Sequence, residues 1–209
     1  MNEGCRTRSA RLAAVARALQ AAGGPLARTA PFSLAFLTDR RRSPRPELIA
    51  RALPAGAAIV YRDYDDPKRE ASGALLRTIA AGRALLFLVG GDVGLARRLG
   101  ADGVHLRSRD LRAWTGGWPG VGLVSAACHS ADELALARAC GADAVFLSPV
   151  FATGSHRVAP TLGSDEFKRL AERASIPVLA LGGVDENNAR RLSGPNVSGL
   201  GAIGAFARA

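Results

Sequence analysis

A histidine lies directly before a predicted helix, a position that favours its action as a general base. His129 precedes the run Ser130–Glu133, in which a serine and a glutamate are spaced as in a capping box. The positive end of a helix dipole favours the neutral form of a nearby imidazole, and a neutral imidazole can act as a general base. We therefore predict that His129 is the catalytic acid/base residue. The alternative is an ordinary surface histidine on a loop. Adjacent Cys128 is interpreted as a small buried residue.

Two glycine turns and an arginine could bind an anion. Gly182-Gly183 and Ile203-Gly204 each follow an apolar run near the end of the chain, and such turns can present backbone N–H groups to a phosphate. The alternative is that these glycines only make tight turns. Arg62 and the hydroxyls of Thr153 and Ser155 are further candidates for binding a phosphorylated substrate.

Four aspartates could hold Mg²⁺, which prefers one or two carboxylates together with substrate phosphates. They are Asp63, Asp65, Asp92 and Asp110. For each of them taken singly, helix capping or a solvated loop is the favoured interpretation.

Eight short apolar runs alternate with amphipathic stretches, and this pattern predicts the elements that position these residues. The runs are Phe32–Thr38, Ala57–Tyr61, Ala84–Val89, Gly103–Leu106, Val121–Ser125, Ala144–Leu147, Pro177–Leu181 and Gly199–Ile203. Strict alternation requires a parallel sheet, and eight strands close a barrel, with chemistry at the carboxyl ends of the strands. We predict one (β/α)8 barrel, an α/β fold, with an open doubly wound sheet as the alternative. His105 would then pack near the barrel mouth.

Helices are predicted between these runs from capping signals and spacing. They begin after Asp66-Pro67, at Val93, at Ser130, near Ser164 and near Asp185.

The first 30 residues are predicted to form an extra amphipathic helix and a linker, and the barrel to span 31–209. Leu12, Val15, Ala16 and Leu19 lie at helical spacing. We interpret this helix as one that closes an end of the domain, with an Arg-rich transit peptide as the alternative.

Composition excludes several classes of protein. The 209 residues carry a formal net charge of +10, but the arginines are spread along the chain and only 5% of residues are aromatic, so nucleic acid is not the expected partner. No uncharged apolar run reaches the roughly 18 residues of a membrane span. Three widely separated cysteines give no disulfide framework, which fits a cytoplasmic location.

The chain resembles the thiamine-phosphate synthases and their sister family, the thiazole tautomerases, from about Phe32 to Phe206. The stretches that carry the resemblance are Phe36–Arg40, Leu99–Leu106, Gly141–Asp143, Ser148–Thr153, Pro177–Val184 and Gly201–Ala205. The resemblance implies a (β/α)8 barrel that binds a phosphorylated thiazole, with Thr153, Ser155, Gly183, Ile203 and Gly204 on that side of the site.

Several positions depart from the pattern of the synthases. Their usual Gln-x-Arg-x-Lys-Asp after the second strand is matched by Val60, Arg62, Tyr64 and Asp65, so the Gln and Lys are absent. Their Asn-Asp-Arg after the third strand is matched by Gly90, Gly91 and Asp92. The second metal carboxylate is matched by Asp110. The lysine of their Thr-x-Thr-Lys loop is replaced by His156, which we keep as a substrate-binding candidate.

These departures favour a thiazole-phosphate tautomerase with His129 as acid/base, which would need no cofactor. The first alternative is a synthase that joins hydroxymethylpyrimidine diphosphate to thiazole phosphate, with Mg²⁺ held by Asp92 and Asp110. The second alternative is a non-catalytic barrel that binds a phosphorylated ligand. The sequence leaves a homodimer open.

Overall fold

Eight parallel strands form a closed barrel in the computed structural model, which describes residues 3–114, 122–152 and 160–206. The strands are β1 (Leu34–Leu37), β2 (Ala58–Tyr61), β3 (Leu86–Gly90), β4 (Gly103–Leu106), β5 (Leu123–Cys128), β6 (Ala144–Leu147), β7 (Val178–Ala180) and β8 (Val197–Ala202). Each strand pairs with the next, and β8 pairs with β1. The predicted barrel is confirmed, and the open sheet is wrong.

Helices surround the barrel unevenly. They are α1 (Glu3–Ala22), α2 (Gly24–Arg28), α3 (Pro46–Ala50), α4 (Arg69–Gly82), α5 (Val93–Arg98), α6 (Ala131–Ala139) and α7 (Gly163–Arg173), with short 3-10 helices at Ser108–Ala113, Ala189–Leu192 and Gly204–Phe206. The helix expected near Asp185 is thus a single 3-10 turn. The helix expected after Asp66-Pro67 begins at Arg69, because the backbone N–H of Arg69 bonds to the Asp66 carbonyl oxygen at 3.0 Å and closes a separate turn before the helix. The Asp66 carboxylate accepts from the backbone N–H of Lys68 at 2.8 Å in this turn.

The barrel interior is filled by alternate residues of the strands, as a closed parallel barrel requires. The inward apolar side chains include Ala35, Leu37, Ala58, Val60, Leu88, Phe146 and Leu179. At Gly201 a Cβ atom would lie 2.8 Å from side-chain atoms of both Leu37 and Phe146, so a larger residue there would force these side chains to shift. The opposite strand faces pack against the helices in a second, larger apolar layer.

The N-terminal helix α1 lies along the flank of the barrel. Gly23, just after its end, contacts Val197 at the start of β8, while Arg8 near its beginning pairs with Glu186 beyond β7 at 3.5 Å. Its apolar stripe of Leu12, Val15, Ala16 and Leu19 is buried in the outer layer. The helix therefore covers β8 along its length, and the expectation that it closes an end of the domain is wrong. Among the described residues, no helix is long and apolar enough to cross a membrane.

Candidate functional site

A cavity of about 970 Å³ opens at the carboxyl ends of the strands. Within the described part of the chain, its walls come from the ends of seven of the eight strands and the segments that follow them, all except β3. The lining residues include Asp39, Arg41, Arg42, Arg62, Tyr64, His105, Arg107, Ala127, His129, Ser148, Leu181, Gly182, Gly183, Asp185, Ile203 and Gly204. This is the end of the barrel at which chemistry is expected, and the volume lies at the upper end of the range of small-molecule sites.

His129 lies at this cavity, held in a fixed orientation by its neighbours. Its Nδ1 is 2.7 Å from the carbonyl oxygen of Ser148, and its backbone N–H donates to the carboxylate of Glu133 at 2.6 Å. Ser130 accepts from the backbone N–H of Glu133 at 3.3 Å, as the capping box predicts. Because a carbonyl oxygen can only accept, Nδ1 carries a proton and Nε2 of the neutral ring has a free lone pair. The ring can therefore accept a proton at Nε2.

His105 lies at the floor of the cavity, inside the barrel. Its register partner across the β4–β5 pair is Ser125, whose hydroxyl is 3.0 Å from the His105 Nδ1. Burial lowers the pKa of His105 to about 3, and the nearby charge of Arg62 acts in the same direction. His105 is therefore neutral at ordinary pH. The position near the barrel mouth agrees with the sequence expectation, but no sequence pattern predicted that the ring lines the cavity.

Arg62 brings a partly buried positive charge to the cavity wall. Its backbone N–H donates to the Thr38 hydroxyl at 2.9 Å, and its Nε faces the Thr38 carbonyl oxygen at 3.4 Å. Burial lowers the pKa of the guanidinium. No carboxylate within the three described ranges is close enough to form an ion pair with it. The charges of Asp39 and Asp63 favour the cation from a longer distance. A desolvated cation that no carboxylate contacts directly is suited to bind an anionic ligand.

The glycine turn after β7 has its own structural reason and also faces the cavity. Gly182 and Gly183 have φ angles of 93° and 65°, and a Cβ atom on Gly183 would lie 2.7 Å from the Ala152 carbonyl oxygen. The turn that contains Ile203 and Gly204 borders the same cavity. The tight-turn interpretation and the phosphate interpretation are therefore compatible.

Three predicted substrate-binding residues, Thr153, Ser155 and His156, lie outside the described residues.

The two predicted metal ligands are held by arginines. Asp92 caps α5 by accepting from the backbone N–H of Leu95 at 2.8 Å, and its other oxygen is 3.1 Å from Arg69. Asp110 receives two hydrogen bonds from Arg107, at 2.5 and 3.0 Å. Neither aspartate lines the cavity.

The other two acidic candidates are also engaged by neighbouring residues. Asp63 is buried and accepts from the backbone N–H of Arg40 at 2.9 Å, and exposed Asp65 pairs with Arg41 at 3.3 Å. In the part of the chain that the structure describes, no cluster of three or more acidic, histidine or cysteine residues could hold a metal ion. The carboxylates as arranged here do not fit the Mg²⁺ that the resemblance to the synthases implies.

Comparison with known proteins agrees with this architecture. The family described as "Thiamine monophosphate synthase" matches residues 34–206. A thiamine-phosphate synthase of Pyrococcus furiosus is 33% identical over 178 residues, which cover 83% of this chain and 86% of that protein. A thiamine-phosphate synthase of Thioalkalivibrio sulfidiphilus is 36% identical over 175 residues, which cover 78% of this chain and 82% of that protein.

Solved structures resemble the chain as well. The thiamine phosphate pyrophosphorylase from Pyrococcus furiosus superposes with a TM-score of 0.65 at 26% identity, covering 86% of this chain and 88% of that one. A 2-keto-3-deoxy-6-phospho-gluconate aldolase from Zymomonas mobilis has a TM-score of 0.53 at 14% identity over 84% of this chain and 83% of that one, which shows a shared fold alone. Fold and rim cavity thus define a (β/α)8 barrel of the kind that carries small-molecule enzymes. The chain belongs to the thiamine monophosphate synthase family.

Proposed function

We propose that the chain is a thiamine-phosphate synthase, which joins hydroxymethylpyrimidine diphosphate to thiazole phosphate. The similar proteins described above carry the synthase name, and this favours the synthase alternative over the tautomerase that the sequence motifs favoured. The proposal places thiazole phosphate near the glycine turns after β7 and β8, and the pyrimidine diphosphate near Arg62.

One observation carries this proposal: a single cavity of about 970 Å³ has two separate regions suited to anions. The first is formed by Gly182, Gly183 and Gly204, and the second by the unpaired guanidinium of Arg62. Among the described residues, four arginines and two aspartates line the cavity, which gives this part of its wall a positive charge. Two phosphorylated substrates can be accommodated side by side at these regions.

The reaction is a substitution at the methylene carbon of the pyrimidine. The lone pair of the thiazole ring nitrogen forms the new C–N bond, while the C–O bond to diphosphate breaks and its electron pair leaves with the diphosphate oxygen. The thiazole becomes a thiazolium cation, and no proton has to be removed. Catalysis therefore requires alignment of the two substrates and stabilisation of the departing negative charge, which arginine side chains can supply.

A thiazole-phosphate tautomerase is the second candidate, because His129 presents a proton-accepting Nε2 at the same cavity. Tautomerisation moves a proton from one atom of the substrate to another, and a histidine can accept and return that proton. The two candidates differ in their dependence on His129, because the synthase reaction needs no general base.

Purified protein should be incubated with both synthase substrates, with Mg²⁺ or with a chelator, and followed by mass spectrometry. We expect thiamine phosphate and diphosphate to form in equal amounts. His129→Asn should retain synthesis, while Arg62→Gln should reduce kcat/KM by about tenfold or more, because one charged contact is lost. Exposed Arg112→Gln, on the Ser108–Ala113 helix, is the control for loss of one positive charge.

A parallel incubation with the carboxythiazole phosphate isomer tests the second candidate. Isomerisation that disappears in His129→Asn, together with no thiamine phosphate under either condition, would replace the synthase by the tautomerase. Binding of thiazole phosphate without turnover in both incubations would instead indicate a non-catalytic barrel.

A further inference from the structure

An arginine and aromatic cluster occupies the side of the cavity between β2 and β4. Two guanidinium groups lie over the ring of Tyr64, that of Arg69 at 5.3 Å and that of Arg107 at 5.6 Å from the ring centroid. Stacking of this kind fixes planar guanidinium groups while leaving their N–H groups free for other partners.

Two glycines at the end of β3 make room for this cluster. A Cβ atom on Gly90 would lie 2.8 Å from the Tyr64 hydroxyl, and one on Gly91 would lie 2.9 Å from the Arg107 Nε. Any larger residue at either position would displace the tyrosine or the arginine. The space next to the end of β3 is therefore filled by Tyr64 and Arg107.

The nearby carboxylates orient these arginines. Asp110 binds Arg107 through both oxygens, which leaves Nη1 of Arg107 available at the cavity. Asp92 fixes Arg69, which also donates to the Gly90 carbonyl oxygen at 2.7 Å. Each oxygen of these two carboxylates already accepts a hydrogen bond from the protein, and the paired arginine offsets the negative charge that would attract a metal ion.

We propose that this side of the cavity binds a diphosphate group through Arg62, Arg107 and the Tyr64 hydroxyl, without a divalent cation. The identity of the diphosphate as that of the pyrimidine substrate rests on the proposed function. Asp110 is a positioning residue for Arg107. Two guanidinium groups supply both the positive charge and the directed hydrogen bonds that a leaving diphosphate needs.

Binding of inorganic diphosphate, measured by calorimetry on the full chain, tests this directly. In EDTA the wild-type protein should bind diphosphate, and Arg62→Gln and Arg107→Gln should each weaken the affinity by about tenfold or more. Asp110→Asn should weaken it less, because Arg107 keeps its charge and loses only its orientation. Arg112→Gln should bind like the wild type, and circular dichroism should confirm that each variant is folded.

A Mg²⁺ titration distinguishes the metal-free site from a metal site. We expect the affinity for diphosphate to stay within about threefold when Mg²⁺ replaces EDTA, a change of well under 1.4 kcal/mol. Binding that appears only with Mg²⁺ and is lost in Asp110→Asn, but kept in Arg107→Gln, would overturn the proposal.

Synthesis of thiamine phosphate, measured with Mg²⁺ and with EDTA beside this titration, separates the metal-free diphosphate site from the synthase activity. Synthesis that requires Mg²⁺ would leave the synthase in place and remove the metal-free site. Diphosphate binding in EDTA without any synthesis would support the metal-free site and contradict the synthase activity.

Discussion

The Nδ1 atom of His129 lies 2.7 Å from the carbonyl oxygen of Ser148, so a residue at the end of β5 is oriented by the backbone that follows β6. The Ser148 hydroxyl is also near, at 3.4 Å from the same nitrogen. Since the carbonyl oxygen accepts, it fixes both the direction of the ring and the nitrogen that carries the proton.

This contact predicts the tautomer of His129. At a pH where the ring is neutral, nitrogen-15 NMR should show the proton on Nδ1, and the assignment can be made by comparison with His129→Asn. Ser148→Ala removes the hydroxyl but keeps the carbonyl oxygen, so the tautomer should not change. A neutral ring protonated at Nε2 would contradict the orientation described here and would remove the basis for a proton-accepting Nε2.

His105 should make the stability of the protein depend on pH. Burial keeps the folded ring neutral down to about pH 3, whereas the unfolded residue binds a proton near its ordinary pKa of 6.5. Because the unfolded state then holds more protons, the free energy of unfolding should fall as the pH decreases from 6.5 towards 3. Above pH 6.5 the ring of His105 is neutral in both states, and this dependence of the free energy of unfolding on pH disappears.

The comparison with His105→Gln isolates this effect, since the acidic groups titrate in both proteins. Urea unfolding should be measured at several pH values. Below pH 6.5 the free energy of unfolding of the wild type should fall more steeply with decreasing pH than that of His105→Gln, by at most about 1.4 kcal/mol per pH unit. Parallel curves for the two proteins would show that His105 does not titrate on unfolding.

Much of this fold could be predicted from the sequence, for a physical reason. Strands covered on both faces are continuously apolar, and such runs at 57–61 and 144–147 coincide with β2 and β6 to within one residue. The helical pattern near Asp185 was less informative, because Ala189–Leu192 forms only a 3-10 turn and capping signals do not distinguish it from an α-helix.

The side-chain partners in the site could not be predicted in the same way. Arg69 and Asp92 are 23 positions apart, and they meet only because β2 and β3 are neighbours in the barrel. The role of the carboxylates therefore depended on contacts that spacing does not reveal. Likewise, the contact between His105 and Ser125 follows from the register of β4 and β5.

The helix α1 should contribute to the stability of the barrel. Leu12 is fully buried against the outer layer, so Leu12→Ala should lower the free energy of unfolding by about 2–5 kcal/mol through lost burial and a new cavity. Arg11→Ala, at the exposed neighbouring position, is the matched control and should change it little. A Leu12→Ala protein as stable as the wild type in urea would mean that α1 is not part of the folded core.

The glycine turns can be tested by two substitutions that separate folding from binding. Gly183 has a φ of 65° and no room for a Cβ atom, so Gly183→Ala should both destabilise the protein and weaken its affinity for thiazole phosphate. A Cβ atom on Gly204 would meet no atom of the described residues within 4 Å, and Gly204 borders the cavity. Gly204→Ala should therefore leave the free energy of unfolding unchanged while weakening thiazole phosphate binding by about tenfold, since the methyl group takes space that the phosphate needs. Gly82→Ala, at the end of α4 and away from the cavity, should alter neither property. Calorimetric binding by Gly204→Ala at the wild-type affinity would place the phosphate elsewhere in the cavity.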